Sequence, residues 1–198
     1  MAEQTEAAKE TGEYLVSRML EVCCHEDPTR EGLQETPARV VKAWQHWTKG
    51  YAEDPATILK TFEDGAEDYD EMIVVSGLPV WSTCEHHTAP FFGEAHIGYV
   101  PKKRIVGLSK FGRLVDCFAR RLQVQERLTM QIANAIQEHL KPKGVGVILR
   151  CRHLCMESRG IQSSGTITIT SALLGGMKTD EQARNEFLAL KTYSKGII

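Results

Sequence analysis

The sequence has no long hydrophobic run, internal repeat or low-complexity segment. No apolar stretch approaches the roughly 20 residues that a membrane-spanning helix needs. The first residues, MAEQTEAAKE, have neither an apolar signal core nor the acid-poor composition of a transit peptide. These absences argue against membrane, fibrous and secreted classes, and they predict a cytoplasmic protein.

The sequence also lacks a strong charge of either sign. The formal net charge is -2 and the pI is about 6.4. This balance gives no general attraction to nucleic acid or to anionic membranes, so we expect neither as a partner. An anionic ligand would therefore have to be bound by a local cluster of lysine and arginine.

The remaining composition is that of an ordinary globular protein. The chain has 198 residues, of which 42% are hydrophobic and 25% charged, which suits one domain or one domain with a helical appendage. The six cysteines could form three disulfides in a small secreted protein. In a cytosolic chain of this size, metal binding or simple burial is the favoured interpretation.

The N-terminal part is predicted to be helical. The hydrophobic spacing indicates one helix over Tyr14–Val22 and a second from Thr36 to about Trp47, with Thr36 as the N-cap and Pro37 in the first turn. A loop rich in Asp, Glu, Gly and Pro follows over 50–70. It predicts a division into an N-terminal helical region with its linker (1–70) and a main domain (71–198).

The second part alternates strand and helix patterns in the order strand, strand, helix, helix, strand, strand, helix, which indicates an α+β domain. The predicted strands are 72–75, 91–100, 145–155 and 166–174. The predicted helices are 109–121, 124–140 and 180–191, the last with a capping-box pattern at Thr179 and Gln182.

The stretch STCEHHTAPFFG contains the first candidate metal ligands, in a predicted connection just before a strand. Residues three apart share one side of a helical turn, whereas residues two apart do not. Cys84 and His87 can therefore bind one ion together, while His86 points elsewhere.

A third ligand is expected from the other cluster of cysteine and histidine, CRHLC. If this segment is an extended strand, Cys151 and Cys155 lie about 13 Å apart, too far for two thiolates that must each sit ~2.3 Å from one zinc. We expect Cys155 to bind, with His153 beside it on the same face. This choice leaves a coordination position open for water.

Two other interpretations of the cysteines compete with this one. Cys84, His87, Cys151 and Cys155 could form a closed Cys₃His site with a purely structural zinc. Alternatively, Cys151 and His153 could be buried core residues. The strand geometry and the two spare imidazoles weaken the closed site, and we expect simple burial for Cys151 alone.

The helix that begins at Ser109 is a candidate anion site. Lys110 and Arg113 lie three apart in its first turns, off the hydrophobic stripe, where free N–H groups and the helix dipole favour an anion. A solvated face is the competing interpretation. Arg159 and Arg39 could add charge to the same ligand.

With these residues in place, the sequence resembles the GTP cyclohydrolase I family. The motifs that carry the resemblance are ETPARV, STCEHH, GLSKFGRLV, VQERLT and HLCMESRGI, in that order along the chain. They extend from about Thr36 to the C-terminal helix, and their number, order and spacing make the match specific. The first ~35 residues lie outside the strong match.

The resemblance implies a fold, an assembly and a reaction. The fold is the α+β T-fold (tunnelling fold), an antiparallel sheet with helices on one side, here preceded by N-terminal helices. Sheets of five subunits close into a barrel, and two rings stack as a homodecamer with active sites between subunits. The reaction converts GTP and water to 7,8-dihydroneopterin triphosphate and formate, the first step of folate or tetrahydrobiopterin synthesis.

The resemblance also implies a role for each candidate residue. Zinc would be held by Cys84, His87 and Cys155 and would activate a water for attack on C8 of the guanine. His86 and His153 would be the catalytic proton donors and acceptors. The triphosphate would be bound by Ser109, Lys110, Arg113 and Arg159, with Arg39 from a neighbouring subunit. The base would be bound by Gln125 and Glu126.

Two rival functions remain open at this point. One is a nucleotide-binding module with a structural zinc and no catalysis, which the two spare imidazoles argue against. The other is a different T-fold enzyme, such as a pterin aldolase or synthase, which the basic cluster at Lys110 and Arg113 argues against. Cys151, where members of the family often have alanine, keeps the closed Cys₃His site under consideration.

Overall fold

The structure is a computed structural model that describes residues 6–62 and 69–190. Its helices are α1 (Glu6–Cys24), α2 (Thr36–Trp47), α3 (Pro55–Ile58), α4 (Ser109–Ala119), α5 (Gln125–Leu140), α6 (Leu154–Glu157), α7 (Gly176–Thr179) and α8 (Glu181–Leu190), with a 3₁₀ turn at Lys49–Ala52. Its strands are β1 (Thr61–Phe62), β2 (Ile73–Cys84), β3 (Pro90–Val100), β4 (Ile105–Val106), β5 (Leu122–Gln123), β6 (Gly144–His153) and β7 (Ile167–Gly175).

A five-stranded sheet in the order β5-β2-β3-β6-β7 organises the fold. The pairs β2–β3, β3–β6 and β6–β7 are antiparallel, and the short β5 pairs with the end of β2 in parallel. β1 and β4 form a separate two-stranded sheet. The predicted α+β class with an antiparallel sheet is confirmed, and the arrangement agrees with the expected T-fold.

Helices α4 and α5 cover one face of the sheet and form the main core with it. Their stripes behave as predicted, since Phe111, Leu114, Leu128 and Ile132 are fully buried. Alternate residues of β6, such as Val147, point into the same core. Burial of these side chains contributes about 1.5–3 kcal/mol each, so the core holds the two helices rigidly behind the strand ends that build the site.

The opposite face of the sheet is covered at one end by α8. Ile148 belongs to a second, smaller cluster with Phe187 of α8. The Phe187 ring lies where a Cβ on Gly98 or Gly146 would be, at 2.5 and 2.6 Å. The expectation of helices on one side of the sheet therefore holds for α4 and α5 but not for α8. The two paired glycines have no side chains, and this leaves space for the Phe187 ring against the opposite face.

The first long strand is the largest difference from the predicted elements. The sequence indicated a strand only over 72–75. β2 instead continues to Cys84 through an irregularity at which its pairing with β3 shifts between Val75 and Leu78. Gly77 has a φ of 74° there, a conformation that glycine adopts at little cost.

Both predicted helix caps are displaced by one residue. Helix α2 begins at Thr36, so Glu35 occupies the N-cap position and Thr36 is already helical, while Pro37 lies in the first turn as expected. The carboxylate of Asp180, not Thr179, accepts the Gln182 N–H at 2.8 Å at the start of α8. A carboxylate is an equally good cap acceptor, and spacing alone does not distinguish neighbouring candidates. Lys191, the predicted end of that helix, lies outside the described residues.

The predicted loop over 50–70 is partly ordered structure. It contains most of the 3₁₀ turn, α3 and β1, and Leu59 is buried in the main core. Residues 63–68 of this loop lie outside the described residues. The division of the chain near residue 70 stays a prediction.

No helix within residues 6–62 and 69–190 combines the length and the apolar character needed to cross a membrane.

Candidate active site

A tight turn between β2 and β3 presents the first cluster. The Thr88 N–H donates to the Cys84 carbonyl at 2.8 Å, and the Cys84 N–H donates to the Ala89 carbonyl at 2.8 Å. The first of these bonds closes one helical turn, so His87 returns to the side on which Cys84 lies. Cys84 is buried at the strand end, whereas His86 and His87 are exposed.

The third predicted ligand comes from a helical turn, not from a strand. β6 ends at His153, and Cys155 lies in α6. The prediction that Cys155 continues the face of Cys151 is therefore wrong. The change of direction takes Cys155 out of the sheet and brings its thiol to Cys84.

The ligand atoms of Cys84, His87 and Cys155 all lie within 4.8 Å of one another. Around a tetrahedral zinc with Zn–S of ~2.3 Å and Zn–N of ~2.0 Å, ligand atoms are separated by roughly 3.3–3.8 Å. Two thiols and one imidazole at this spacing suit zinc, and three protein ligands leave one position open. Burial and the nearby Cys84 thiol raise the pKa of the Cys155 thiol.

Cys151 is outside this group. Its side chain is 1% exposed and belongs to the main core. Burial raises the pKa of the Cys151 thiol to about 12, as expected of a thiol packed among core side chains. The structure favours the interpretation of Cys151 as a buried core residue over the closed Cys₃His site.

The turn that carries the ligands is tied to the start of α5. The Glu85 N–H donates to the Gln123 carbonyl at 3.0 Å, and the Glu85 carboxylate pairs with the Arg127 guanidinium. Arg127 also donates to the Gln123 side-chain oxygen at 3.0 Å and to the Leu122 carbonyl at 3.1 Å. The guanidinium holds the pKa of the Glu85 carboxyl below its usual range. Glu85, which lies outside the metal group, thus anchors the turn.

His153 is held on two sides. Its ring stacks on Phe91 with centroids 4.6 Å apart and planes 7° apart, and its Nε2 lies 2.8 Å from Oε1 of Gln125. Burial lowers the pKa of His153, and the negative charge of Glu126 opposes this in part. The ring is therefore neutral near pH 7 and fixed in orientation.

One cavity of about 240 Å³ collects these groups. Its predicted site residues are Cys84, His86, His87, Gln125, Glu126, His153 and Cys155, and it is also lined by Gln123, Val124, Met156 and Thr168. Gln125 is only 2% exposed, whereas the next residue, Glu126, is exposed. At the start of α5, Gln125 thus faces the interior, whereas Glu126 faces the open pocket.

The predicted triphosphate residues lie elsewhere on the single chain. Ser109 and Arg113 line a second cavity of about 760 Å³, together with Lys49 and Asp116. Among the residues that the structure describes, none lines both cavities. Asp116 forms a salt bridge with Lys49 at 2.6 Å. The negative charge of Asp116 therefore neutralises less of the positive charge of Arg113 in the same cavity.

The other predicted basic residues are spread over the surface. Lys110 follows Ser109 in α4 but does not line that cavity. Arg159 is exposed just beyond α6, and its charge acts on Cys155. Arg39 is exposed on α2 and pairs with Glu35. A single chain therefore brings Arg159 towards the metal group and leaves Arg113 at another cavity.

Several residues that support the pocket were not predicted. They are Gln123, Arg127, Thr129 and Thr170, which form hydrogen bonds with Glu85, with one another or with Gln125. Thr129 and Thr170 are distant in sequence, and no spacing pattern signals their contact. Gln123 and Arg127 are four apart across a helix start, a weak signal that alone indicates only a surface pair.

The fold and the pocket together define an α+β enzyme with a candidate metal centre of two cysteines and one histidine. A sequence model of the family described as GTP cyclohydrolase I matches residues 13–192. The chain belongs to the GTP cyclohydrolase I family.

Relatives from distant organisms are similar over most of the chain. GTP cyclohydrolase 1 of Nitrosospira multiformis is 67% identical over 165 residues, covering 83% of this chain and 86% of that protein. GTP cyclohydrolase 1 of Campylobacter lari is 47% identical over 191 residues, covering 96% and 98%. GTP cyclohydrolase 1 of Saccharomyces cerevisiae is 51% identical over 168 residues, covering 83% and 68%.

Proposed function

We propose that the protein is a zinc-dependent hydrolase that converts GTP and water to 7,8-dihydroneopterin triphosphate and formate. This reaction is the first step of folate or tetrahydrobiopterin synthesis, and we place it in the cytoplasm. The observation that carries the proposal is a single pocket that combines the metal group with two further imidazoles and a carboxylate.

The metal would be held by Cys84, His87 and Cys155, whose mutual spacing suits zinc. A bound zinc would act as a Lewis acid and make a water molecule nucleophilic near neutral pH. The protein's part is to leave one coordination position open and to hold the ligands. The Glu85–Arg127 pair supports this by fixing the turn between two of them.

His86 and His153 would transfer the protons of the reaction. Opening the imidazole ring of guanine, releasing formate and opening the ribose all require groups that accept and donate protons near neutral pH. His153 is neutral near pH 7 because of its burial, so it is suited to accept a proton first. His86 is exposed in the turn and is not part of the metal group, which leaves its ring accessible to a substrate.

The base would be recognised at the start of α5, by Glu126 with Gln125 beside it. Guanine presents two adjacent donors, N1–H and the 2-amino group, which one carboxylate can accept together. Glu126 is exposed and lines the pocket, so its carboxylate can face such an edge. Adenine presents an acceptor at N1 and would leave the carboxylate unsatisfied.

The triphosphate would be bound by Ser109, Lys110, Arg113 and Arg159, with Arg39 from a neighbouring subunit. Ser109 and Arg113 line a different cavity from the metal group on one chain. An assembly in which the start of α4 of one subunit meets the metal pocket of the next would join the two. This supports active sites between subunits.

The protein would form a homo-oligomer, which by the family resemblance would be a homodecamer. An exposed edge of the sheet supports such an assembly. β7 is the last strand in the sheet order, and its Ile167 and Ile169 are 49% and 60% exposed. Long apolar edge strands are normally covered or paired. Continuation of the sheet into the next subunit would cover this edge.

The activity is tested by incubating the purified protein with GTP and measuring formate together with the fluorescent pterin obtained on oxidation. We expect both products in equal amounts, their loss with a chelator, and their return with added zinc. GTP binding without formate release would overturn the enzyme proposal in favour of a nucleotide-binding module with a structural zinc.

Lys110→Ala and Arg113→Ala are expected to weaken GTP binding much more than guanosine binding. Each charge-assisted hydrogen bond to phosphate contributes about 1.5–3 kcal/mol, so the dissociation constant for GTP should rise roughly 10- to 100-fold. Calorimetry with both ligands measures the difference. Lys102→Ala is a matched control, because Lys102 is an exposed lysine that lies outside α4 and lines neither cavity. An equal loss for GTP and guanosine would place Lys110 and Arg113 away from the triphosphate.

Glu126→Ala is expected to keep the fold and the zinc but to lose most GTP turnover. The wild type should also handle ITP, which lacks the 2-amino group, much less well than GTP, because one hydrogen bond to the carboxylate is lost. Steady-state kinetics with both nucleotides on both proteins provide the measurement. Glu138→Ala is the control, because Glu138 is a carboxylate of the same helix outside the pocket. An unchanged GTP/ITP preference in Glu126→Ala would leave the residue as a helix-end carboxylate worth ~0.3–1 kcal/mol.

A further inference from the structure

Both ends of the Gln125 side-chain amide form hydrogen bonds with groups of the same chain. The Nε2 end lies 3.0 Å from Oγ1 of Thr170, 3.1 Å from the Thr168 carbonyl and 3.3 Å from the Leu149 carbonyl. The Oε1 end lies 2.8 Å from Nε2 of His153. With 2% of its surface exposed, Gln125 contributes little surface to the pocket that it lines, and both hydrogens of its amide have acceptors on its own chain.

The direction of each hydrogen bond in this network follows from a count of hydrogens. The Thr129 hydroxyl donates its only hydrogen to the backbone carbonyl of Gln125 at 2.7 Å. It must then accept in its 2.7 Å contact with the Thr170 hydroxyl, so Thr170 is the donor there. Thr170 has no second hydrogen and must accept from Gln125, which identifies the amide end that faces it as NH₂.

The same count of hydrogens determines which nitrogen of the His153 imidazole carries a hydrogen. Because the NH₂ end of Gln125 faces Thr170 and two carbonyls, its oxygen faces His153, and an amide oxygen can only accept. Nε2 of His153 must therefore carry a hydrogen and donate it. In the neutral ring the other nitrogen, Nδ1, is then the basic one.

We infer that Gln125 is a positioning residue that holds His153 with its hydrogen on Nε2, so that Nδ1 is the nitrogen that exchanges protons with the substrate. This inference rests on the proposed function for the role of His153 in turnover. It gives Gln125 a different task from the predicted contact with the base, which falls to Glu126 alone.

The surroundings of the ring support this assignment. Phe91 stacks on the imidazole with planes 7° apart, which holds the ring in the plane in which Nε2 meets Oε1 of Gln125. A glutamate at position 125 would place a carboxylate oxygen, which cannot donate, against the three acceptors that now face the Gln125 NH₂ group. Only a side chain with a donor end and an acceptor end satisfies both the strands and the imidazole.

The first test separates positioning from contact with the base. In Gln125→Ala we expect kcat to fall about 100-fold, since a misplaced catalytic group costs roughly that factor. The dissociation constants for GTP and guanosine and the GTP/ITP preference should stay at their wild-type values. Weakened binding of both ligands with a changed GTP/ITP preference would overturn the inference and restore Gln125 as a base contact.

A second pair of variants acts on the network from outside the pocket. Thr170 does not line the pocket, so a substitution there reaches the site only through its hydrogen bonds with Gln125 and Thr129. Thr170→Val removes one of the three acceptors that face the Gln125 amide, together with the hydroxyl that donates to Thr129, and should lower kcat up to about tenfold, the effect of one hydrogen bond. Thr170→Ser retains the hydroxyl and should restore the wild-type rate. Wild-type kcat in a folded, zinc-loaded Thr170→Val variant would count against the inference.

A spectroscopic measurement tests the inference without turnover. Solid-state ¹⁵N NMR of the zinc-loaded protein labelled in histidine distinguishes the two neutral tautomers, and a His153→Gln variant identifies the signal. We expect hydrogen on Nε2 in the wild type and a mixture of tautomers in Gln125→Ala. Hydrogen on Nδ1 in the wild type would overturn the inference. If the wild type released no formate from GTP, the proposed function would fail, while the tautomer would still decide the role of Gln125.

Discussion

Alanine at Cys84, His87 or Cys155 is expected to abolish tight zinc binding and, with it, formate release from GTP. These three side chains form the group whose ligand atoms lie within 4.8 Å of one another. Two remaining ligands bind zinc far more weakly than three, and the nucleophile that zinc supplies is lost with the metal. Metal analysis should find about one zinc per chain in the wild type and almost none in these variants.

Cys151→Ala is the matched control for the zinc prediction. Cys151 is a core residue with 1% exposure, and burial raises the pKa of its thiol to about 12. We expect this variant to keep a full complement of zinc and to lose some stability through the small cavity that the missing sulfur leaves. If Cys151→Ala also emptied the site, the closed Cys₃His arrangement would be correct and the zinc would be structural.

Alanine at His86 or His153 is expected to leave zinc content and GTP affinity unchanged but to lower turnover by roughly 10²-fold or more, the usual effect of removing a general acid or base. Both imidazoles line the pocket, and neither belongs to the metal group. Zinc analysis, GTP binding and single-turnover kinetics on each variant provide the measurement.

His139→Ala is the control for the histidine variants. His139 lies in the last turn of α5 and lines a different cavity, so turnover should be that of the wild type. Full activity in His86→Ala or in His153→Ala would remove that histidine from the proposed mechanism.

The sequence supplied the chemical identity of the candidate site through local spacing. Cys84 and His87 are three apart, and a closed turn, with its bond from Thr88 to Cys84, brings them to one side. The hydrophobic stripes of α4 and α5 likewise predicted which faces are buried, because helical periodicity is a property of a few consecutive residues. Such features depend on neighbours in the chain and can be read without a fold.

Local spacing was less reliable where an element changed direction. The expectation that Cys155 joins Cys84 rested on an argument about an extended strand, and that strand ends at His153. The first strand was predicted only over 72–75, although β2 continues to Cys84. In both places the deciding contacts are with β3 and with the turn at Cys84, which lie elsewhere in the sequence.

By itself, the sequence determined the family, the α+β class and the residue types of the candidate metal group, because each is encoded in short motifs or in periodicity. Tertiary structure alone decided that Cys155 reaches Cys84 from a helical turn and not from a strand, and that Ser109 and Arg113 line a separate cavity on one chain. It alone showed that Gln125 is enclosed by Thr129, Thr170 and His153. The physical reason is that hydrogen-bond partners and burial depend on how strands and helices distant in sequence pack together, and local spacing carries no information about that packing.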